Sequence, residues 1–577
     1  MPHRLRFILL LIILPFLSNA EGTKELMPYP SDSVGRGVIV ASRNGAPNNY
    51  GFFAVPQATA NNRLCFSISS AAEHVYLGMQ WLYLTPGRFL IKNSAGVKVL
   101  DTTDVPVAGA GYIPDYYSAI AGPSAVSAGG YNAMLFNPPA AGDYFIEFIY
   151  TTVIGSQQPD AVLRYFDLTV TTAGNIPIPG RLWSKNWYLS TMGDLGEDVF
   201  RGKMYAYSDD QIVTEVSFNG MRPHLFRVGC NPNGCNDYEP FVLARKSRAE
   251  NSIYPQYKIF INDPDPLLYP TGVPGQLTSV TTTNPCDGTV SLAIEVTKDG
   301  TVSVMIDIDP LPGYQPGDVN FTGGVYAGNT NVLTWNGING QGLPVANGTP
   351  VTIRVTYING LTNLPLYDIE ANNYGFIVNL VRPTGPKPAL FWDDTNVGGS
   401  RQLDGCLSAT GCHTWGYSVG NINTVNTWWY AFTGEWPPFV LNYRRDQTVS
   451  LQERICPDDS LLFAGSWLTT AGQYSHTFTA VLGCDSIVNL DLTIKPGPVV
   501  AFGPDTTLCQ NASLTLQSTT GTGFAYLWNT GATTPSITVS STGTYSLVAT
   551  APNGCTDSDT INVTAAPVIL PKLILHD

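Results

Sequence analysis

Apolar and polar residues alternate with period two in short runs along most of the chain, and each run is bounded by Gly, Pro, Asn or Asp. Such runs predict half-buried β-strands. In VLRYFDLTV (residues 162–170), Phe166, Leu168 and Val170 fall on one face and Tyr165, Asp167 and Thr169 on the other; GDYFIEFIY (142–150) is similar. VSLAIEVTKDGTVSVMIDID (290–309) reads as a hairpin whose Asp299-Gly300 turn supplies the positive backbone angles of a type I′ turn. No comparable helical periodicity occurs beyond the first twenty residues. The pattern therefore predicts an all-β chain of tandem antiparallel β-sandwiches.

Breaks in the pattern give expected boundaries. A first sandwich spans 51–172, a second 181–266, and a third module 286–385 contains the 290–309 hairpin. A Cys- and Trp-rich connector follows at 386–448, then a short repeat at 449–495, a longer one at 499–565, and a tail at 566–577. The last two segments are copies of one unit. GQYSHTFTAVLGC (472–484) and GTYSLVATAPNGC (543–555) agree at seven of thirteen positions, and each is preceded by a cysteine with Ser-Leu four residues on. Matched spacing over a whole segment marks a duplicated folding unit.

The first copy has under fifty residues, marginal for an independent core, so a staple is expected. Pairing Cys456 with Cys484 and Cys509 with Cys555 would close each repeat on itself, with the repeated Gly-x-Tyr a turn leading into a core strand. The close pairs Cys230/Cys235 and Cys406/Cys412 are expected to close small loops, leaving Cys65 and Cys286 as a long-range bridge or free thiols.

Ten cysteines favour disulfides if the chain is exported, and its start predicts export. Arg4 and Arg6 precede an apolar run at 7–17, and Ser18-Asn19-Ala20 offers the small residues that a signal peptidase reads, so residues 1–20 are expected to be a signal peptide cleaved after Ala20. Eleven apolar residues are too few to span a bilayer, and no later stretch is long enough. Secretion or display at the cell surface without a membrane span is the expectation. The net charge of −14, with no basic stripe, argues against nucleic acid and anionic lipid as partners. Only 13% of residues are charged, while 56 Gly and 43 Pro reflect many turns.

Residues 526–563 carry Trp528-Asn529-Thr530-Gly531-Ala532, Gly543-x-Tyr545 and Asn553-Gly554-Cys555. This stretch resembles the immunoglobulin-like or PKD-like repeats of large surface proteins from Bacteroidota, many of them exported by type IX secretion. The segment from ICPDDSLLF to GCDSIVNLDLTI resembles the short repeat beside it in such proteins. LTWNGINGQGLPVANGTPVTIRVTY (333–357) is similar to the module of flagellar hook-capping proteins and of gliding-motility-associated C-terminal domains, and 51–151 resembles the sandwich appended to secreted peptidases. The resemblance implies an exported, non-catalytic protein of adhesive or structural type. Such proteins usually end in a sorting domain, for which the fourteen residues after Val563 leave too little chain.

Candidate chemistry is sparse. GYSVG (416–420) fits the G-x-S-x-G nucleophile elbow around Ser418, with His413 just upstream, but no helical face follows it, as that elbow requires. The downstream histidines, His476 and His576, lie in a repeat strand and in the tail, and no zinc-protease, P-loop or dinucleotide motif is present. Asp307, Asp309 and Asp318, or Asp194, Glu197 and Asp198, are oxygen-rich clusters that suit a structural Ca²⁺, or else are solvated turn residues like the Asp393-Asp394 pair; no other cofactor is expected. Trp415, Trp428, Trp429, Tyr430 and Trp436 crowd the connector, where exposed rings would stack on sugars and buried rings would fill a core. The leading expectation is a non-enzymatic adhesion or structural protein whose partner is an extracellular glycan or protein surface. The runner-up is a carbohydrate-binding or glycan-degrading protein with its active domain in the first 310 residues, recognisable by a cleft that joins two acidic side chains.

Overall fold

The computed structural model describes residues 20–567 apart from 31–36, 42–52, 55–58, 83–86, 150–160, 192–198, 237–240, 310, 312–313 and 480–482. The architecture is mostly antiparallel β-sheet in several sheets. Two large sheets, of nine and twelve strands, dominate the N-terminal part. Both contain strands from each of the two stretches expected to form separate sandwiches. In the smaller sheet Leu64–Ile68 pairs with Leu182–Ser184, and in the larger Gly37–Ala41 lies between Ala161–Thr171 and Asn186–Ser190 and pairs with both. One hydrophobic core runs between the sheets from Leu26 to Trp429, so the expected boundary near residues 172–181 divides no core. Trp187 spans the gap: it is fully buried and its Nε1–H donates to the Ile259 carbonyl at 3.0 Å.

Buried Arg181 sits where the expected sandwiches meet and holds them together. Its guanidinium lies 3.1 Å from Glu73 and 2.7 Å from Asp265, and it donates to the Ser67 carbonyl at 2.9 Å. A fully desolvated cation needs such a set of acceptors, and removing Arg181 would leave the Glu73 and Asp265 carboxylates without their cation.

The expected connector is not a linker. Leu390–Asp393, Arg401–Cys406 and Thr424–Asn442 are strands of the larger sheet. Thr424–Asn442 pairs along its length with Pro350–Tyr367, from Pro350↔Asn442 to Tyr367↔Thr424. One half of this ribbon, with Leu364, Leu366, Val425 and Trp429, belongs to the N-terminal core, and the other, with Val351, Ile353, Val355 and Tyr357, to a second core. A continuous two-stranded ribbon thus joins the N-terminal body to the next module.

That module corrects the hairpin. Val290–Val296 and Gly300–Asp307 do not pair: the first lies in a three-stranded sheet with Leu277–Thr283 and Asn331–Trp335, the second in the larger sheet against Val319–Val325 and Pro350–Tyr367. The two strands face each other across one core, with Val290, Leu292 and Ile294 opposite Val302, Val304 and Ile306. Alternation is the same for a hairpin and for such an arch, because only the apolar face is specified. Gly300 takes no positive φ; it is needed because an added Cβ would meet Ile358 O at 2.5 Å and the Tyr357 ring at 2.7 Å.

The two repeats share a topology. In each, an early strand runs parallel to the last: Gln447–Ile455 with Ser486–Ile494, and Thr506–Leu508 with Thr556–Ala565. In each, the Gly-x-Tyr strand is the antiparallel neighbour of that last strand. Tyr474 Oη donates to Thr470 O at 2.8 Å and Tyr545 Oη to Ser541 O at 3.0 Å, so the repeated tyrosine pins the turn four residues before it.

The disulfide expectation is corrected by that topology. Gln447 pairs with Ser486 and Ile455 with Ile494, so Cys484 and Cys456 lie at opposite ends of the repeat, about 30 Å apart at ~3.3 Å per residue. Cys509 and Cys555 are separated in the same way by the register Leu508↔Ala565. Neither pair meets the limit of about 7 Å between Cα atoms. Instead Cys484 bonds to Cys286 of the preceding module, and Cys456 to Cys555 of the following repeat, both with Cα atoms 5.3 Å apart. The first repeat contributes to no hydrophobic cluster and buries only Leu490, Leu492 and Cys484 among its described apolar residues. It is clamped at both ends rather than closed on itself. The second repeat has its own core around Trp528, Leu547 and Ile561.

Candidate functional site

The expected loop bond Cys406–Cys412 is present. Cys230 and Cys235 are both buried free thiols, a correction to their expected pairing. Their loop is held by Asn231, whose side chain accepts from Asn233 N and Gly234 N and donates to Gly234 O. Burial pushes the Cys235 thiol up to about 12 and those of Cys230 and Cys65 higher still. Cys65 is a core residue beside Phe145 and Trp183, and Cys509 is an exposed thiol.

The aromatic cluster is core rather than a sugar platform. Trp415, Trp428 and Trp429 are buried, and Tyr430 and Trp436 are half-buried. Trp415 Nε1–H donates to Ile369 O at 3.0 Å, and Trp428 stacks on Phe391 with centroids 6.3 Å apart. Arg245 donates to Tyr430 Oη at 2.9 Å and lies 5.8 Å from the Trp428 ring centroid. Rings that lie on a sheet joining two cores are taken out of water by folding, and sequence spacing cannot distinguish this from exposure.

Ser418 is exposed on a four-residue helical turn, Tyr417–Gly420, and His413 is not poised to serve it. Both imidazole nitrogens are engaged: Nε2 is 2.7 Å from Asp394 Oδ2 and Nδ1 is 2.7 Å from Thr427 Oγ1. The ring stacks on Trp392 at 4.5 Å, and Asp394 also accepts from Ser247 Oγ at 2.6 Å. This buried network ties four stretches of chain together, at Ser247, Trp392–Asp394, His413 and Thr427, and the adjacency of Asp393 and Asp394 in sequence gave no hint of it.

Of the acidic clusters, Asp194, Glu197 and Asp198 lie outside the described residues. Asp318 is fully buried and staples its loop: Oδ1 accepts from Ile308 N at 2.9 Å and Oδ2 from Gln315 N at 2.8 Å. Asp307 faces Arg354 at 3.8 Å, and Asp309 accepts from Leu311 N at 3.0 Å. The three carboxylates are therefore engaged by separate partners and do not converge as a Ca²⁺ cage. Among the described residues the one close group of potential metal-binding side chains is Cys286, Asp446 and Cys484, where the disulfide leaves no thiolate to donate.

A surface feature that sequence reading missed is a cavity of about 400 Å³ between the N-terminal segment and the outer face of the nine-stranded sheet. Its walls include Lys24, Glu25, Tyr29, Arg201, Lys203 and Tyr205. Tyr29 is half exposed, with the Arg201 guanidinium 5.8 Å from its ring centroid. Lys203 pairs with Glu215 at 3.1 Å, and Tyr205 Oη donates to the same carboxylate at 3.0 Å. Glu25 is the one carboxylate in the lining among the described residues; it accepts from Asn262 Nδ2 at 3.1 Å, and burial raises it to about 7. An aromatic face with donors of several kinds suits a polar, ring-shaped ligand. Among the described residues the paired carboxylates of a glycosidase are not assembled in this cavity. Only the short stretch 23–29, which carries no periodic pattern, could have drawn attention to it.

No protein-family model matches the chain, and no curated protein matches it. Among solved structures, a three-domain I-band fragment of titin aligns at 10% identity over 51% of this chain and 99% of its own, with a TM-score of 0.13. The five-domain immunoglobulin segment of Sidekick-1 aligns at 9% identity over 85% of this chain and 99% of its own, with a TM-score of 0.11. SGBP-B of the Bacteroides ovatus mixed-linkage glucan utilization locus, solved in complex with a mixed-linkage heptasaccharide, aligns at 10% identity over 51% of this chain and 71% of its own, with a TM-score of 0.10. Scores this low carry no argument about function, and the all-β assignment rests on the strands themselves. Among the described residues no helix is long and apolar enough to cross a membrane.

Proposed function

We propose that the chain is an exported, non-enzymatic adhesion or structural protein in which the C-terminal modules form a covalently braced stalk and the N-terminal body carries recognition. The observation that carries this reading is the pair of bonds Cys286–Cys484 and Cys456–Cys555, each of which crosses a module boundary. A bond across a boundary removes a hinge, which serves to hold a surface at a fixed distance. Bonds of this kind persist in an oxidising compartment and support export by the N-terminal signal with cleavage after Ala20. The finer assignment, to surface proteins of Bacteroidota of the type IX-secreted or gliding-motility-associated kind, rests on the motifs at 528–532, 543–545 and 553–555.

The partner is an extracellular glycan or protein surface. Half-exposed Tyr29 beside Arg201 favours a glycan at the cavity of the N-terminal body. Glycan arrays and surface-adhesion assays on the full exported protein test this. Binding is expected to survive deletion of 447–567 combined with Cys286→Ser, and to be lost in the Tyr29→Ala, Arg201→Ala variant. Binding that travels with 447–567 alone, or release of reducing sugar by the N-terminal body, overturns the proposal.

A further inference from the structure

The polar face of Ala161–Thr171, expected to meet solvent, is buried. Residues 21–23 run along the strand's edge at Phe166–Leu168: Leu168 N donates to Glu21 O at 2.9 Å, and Thr23 Oγ1 to Phe166 O at 3.1 Å. Gly22, at φ 155, bridges to Asp167 where an added Cβ would strike the Phe166 carbonyl. Asp167 is 2% exposed. Its carboxylate accepts from Glu21 N at 2.8 Å, Tyr131 Oη at 2.6 Å and Thr169 Oγ1 at 2.9 Å. Among the described residues no Lys, Arg or His pairs with it, and the titratable groups that act on it, Tyr131 and Glu25, add no positive charge.

A buried carboxylate without a cation is costly. Here the backbone nitrogen that already touches it belongs to the residue that follows the expected cleavage site. We propose that Ala20–Glu21 is a processing site whose product, the α-ammonium of Glu21, inserts beside Asp167 and forms a buried ion pair that locks the N-terminal segment onto the mature fold. Hydrolysis of the peptide bond by water leaves the carboxylate on Ala20 and the amine, protonated, on Glu21. The neutral N–H donor of the precursor thereby becomes a charged donor to the same oxygen. The Glu21 side chain is itself fixed by Gly180 N at 2.6 Å and Arg181 N at 3.1 Å, which hold the terminus in register.

This rests on the export reading, and the two fail separately. Mass mapping of the exported full chain is expected to find Glu21 at the N-terminus; another terminus in an exported chain overturns the latch and leaves export standing, whereas a chain that keeps residues 1–20 overturns both. In that native protein the Glu21 amine is expected to resist reductive methylation until the chain is unfolded, and a native amine that reacts as fast as surface lysines overturns the latch alone. Asp167→Asn is then compared in the mature chain and in a chain that retains Asn19-Ala20 ahead of Glu21. Hydrogen-exchange protection in Ala161–Thr171 is expected to fall at least about tenfold more in the mature background. Equal losses in the two backgrounds overturn the latch.

Discussion

Removing one clamp of the stalk should loosen the first repeat selectively. The double variant Cys456→Ser, Cys555→Ser opens a loop with a sequence separation of 99, for which the chain-entropy model gives about 4.7 kcal/mol at 25 °C. Only part of this bears on the first repeat, because its other end stays bonded through Cys286–Cys484. We expect about 3 kcal/mol, roughly a hundredfold faster opening. The repeat has little to offset the loss, with Leu490 and Leu492 as its buried aliphatic residues. The second repeat keeps Trp528, Leu547 and Ile561 in a core of its own and should change far less. Native-state hydrogen exchange reads the two separately, through Ser486–Ile494 and Thr556–Ala565. Unchanged protection in Ser486–Ile494, or an equal loss in both strands, would refute the reasoning.

Trp429→Ala should destabilise the N-terminal body by about 3–5 kcal/mol, because the ring is fully buried where the long ribbon enters the core. Denaturant unfolding measures this, and loss of binding without loss of stability would restore the sugar-platform reading. Native protein treated with iodoacetamide should label at Cys509 and not at Cys65, Cys230 or Cys235, since those thiols are buried and pushed up by desolvation; peptide mass mapping reads the pattern. In a chain that keeps a peptide bond ahead of Glu21, burial raises Glu21 to about 8 and Glu25 to about 7. The folded form then binds more protons than the unfolded form between about pH 4.5 and 8, so stability of the body should fall as pH rises through that window. Equilibrium unfolding at pH 5 and pH 8 checks the sign.

Local pattern carried the strand content and the duplication. Tyr474 and Tyr545 make the same turn bond in both repeats, and Cys406–Cys412, six residues apart, could pair without long-range information. What alternation cannot carry is which strands meet. Val290–Val296 and Gly300–Asp307 present the same apolar face whether paired or stacked across a core. Asp167 reads as solvent-facing because the groups that meet its carboxylate come from remote stretches, Glu21 at a separation of 146 and Tyr131 at 36. The aromatic residues at 428–430 read as a connector because the partner strand, Pro350–Tyr367, is remote in sequence. The cysteine pairings failed for the same kind of reason. Sequence proximity favoured closure within a repeat, whereas parallel pairing of first and last strands sends the two cysteines to opposite ends.

That the repeats are clamped to their neighbours is tested most directly by peptide mapping of the exported protein under non-reducing conditions. Linked peptides are predicted for Cys286 with Cys484 and for Cys456 with Cys555. Cys456 linked to Cys484, Cys509 linked to Cys555, or free thiols at Cys456 and Cys484 would contradict the braced stalk.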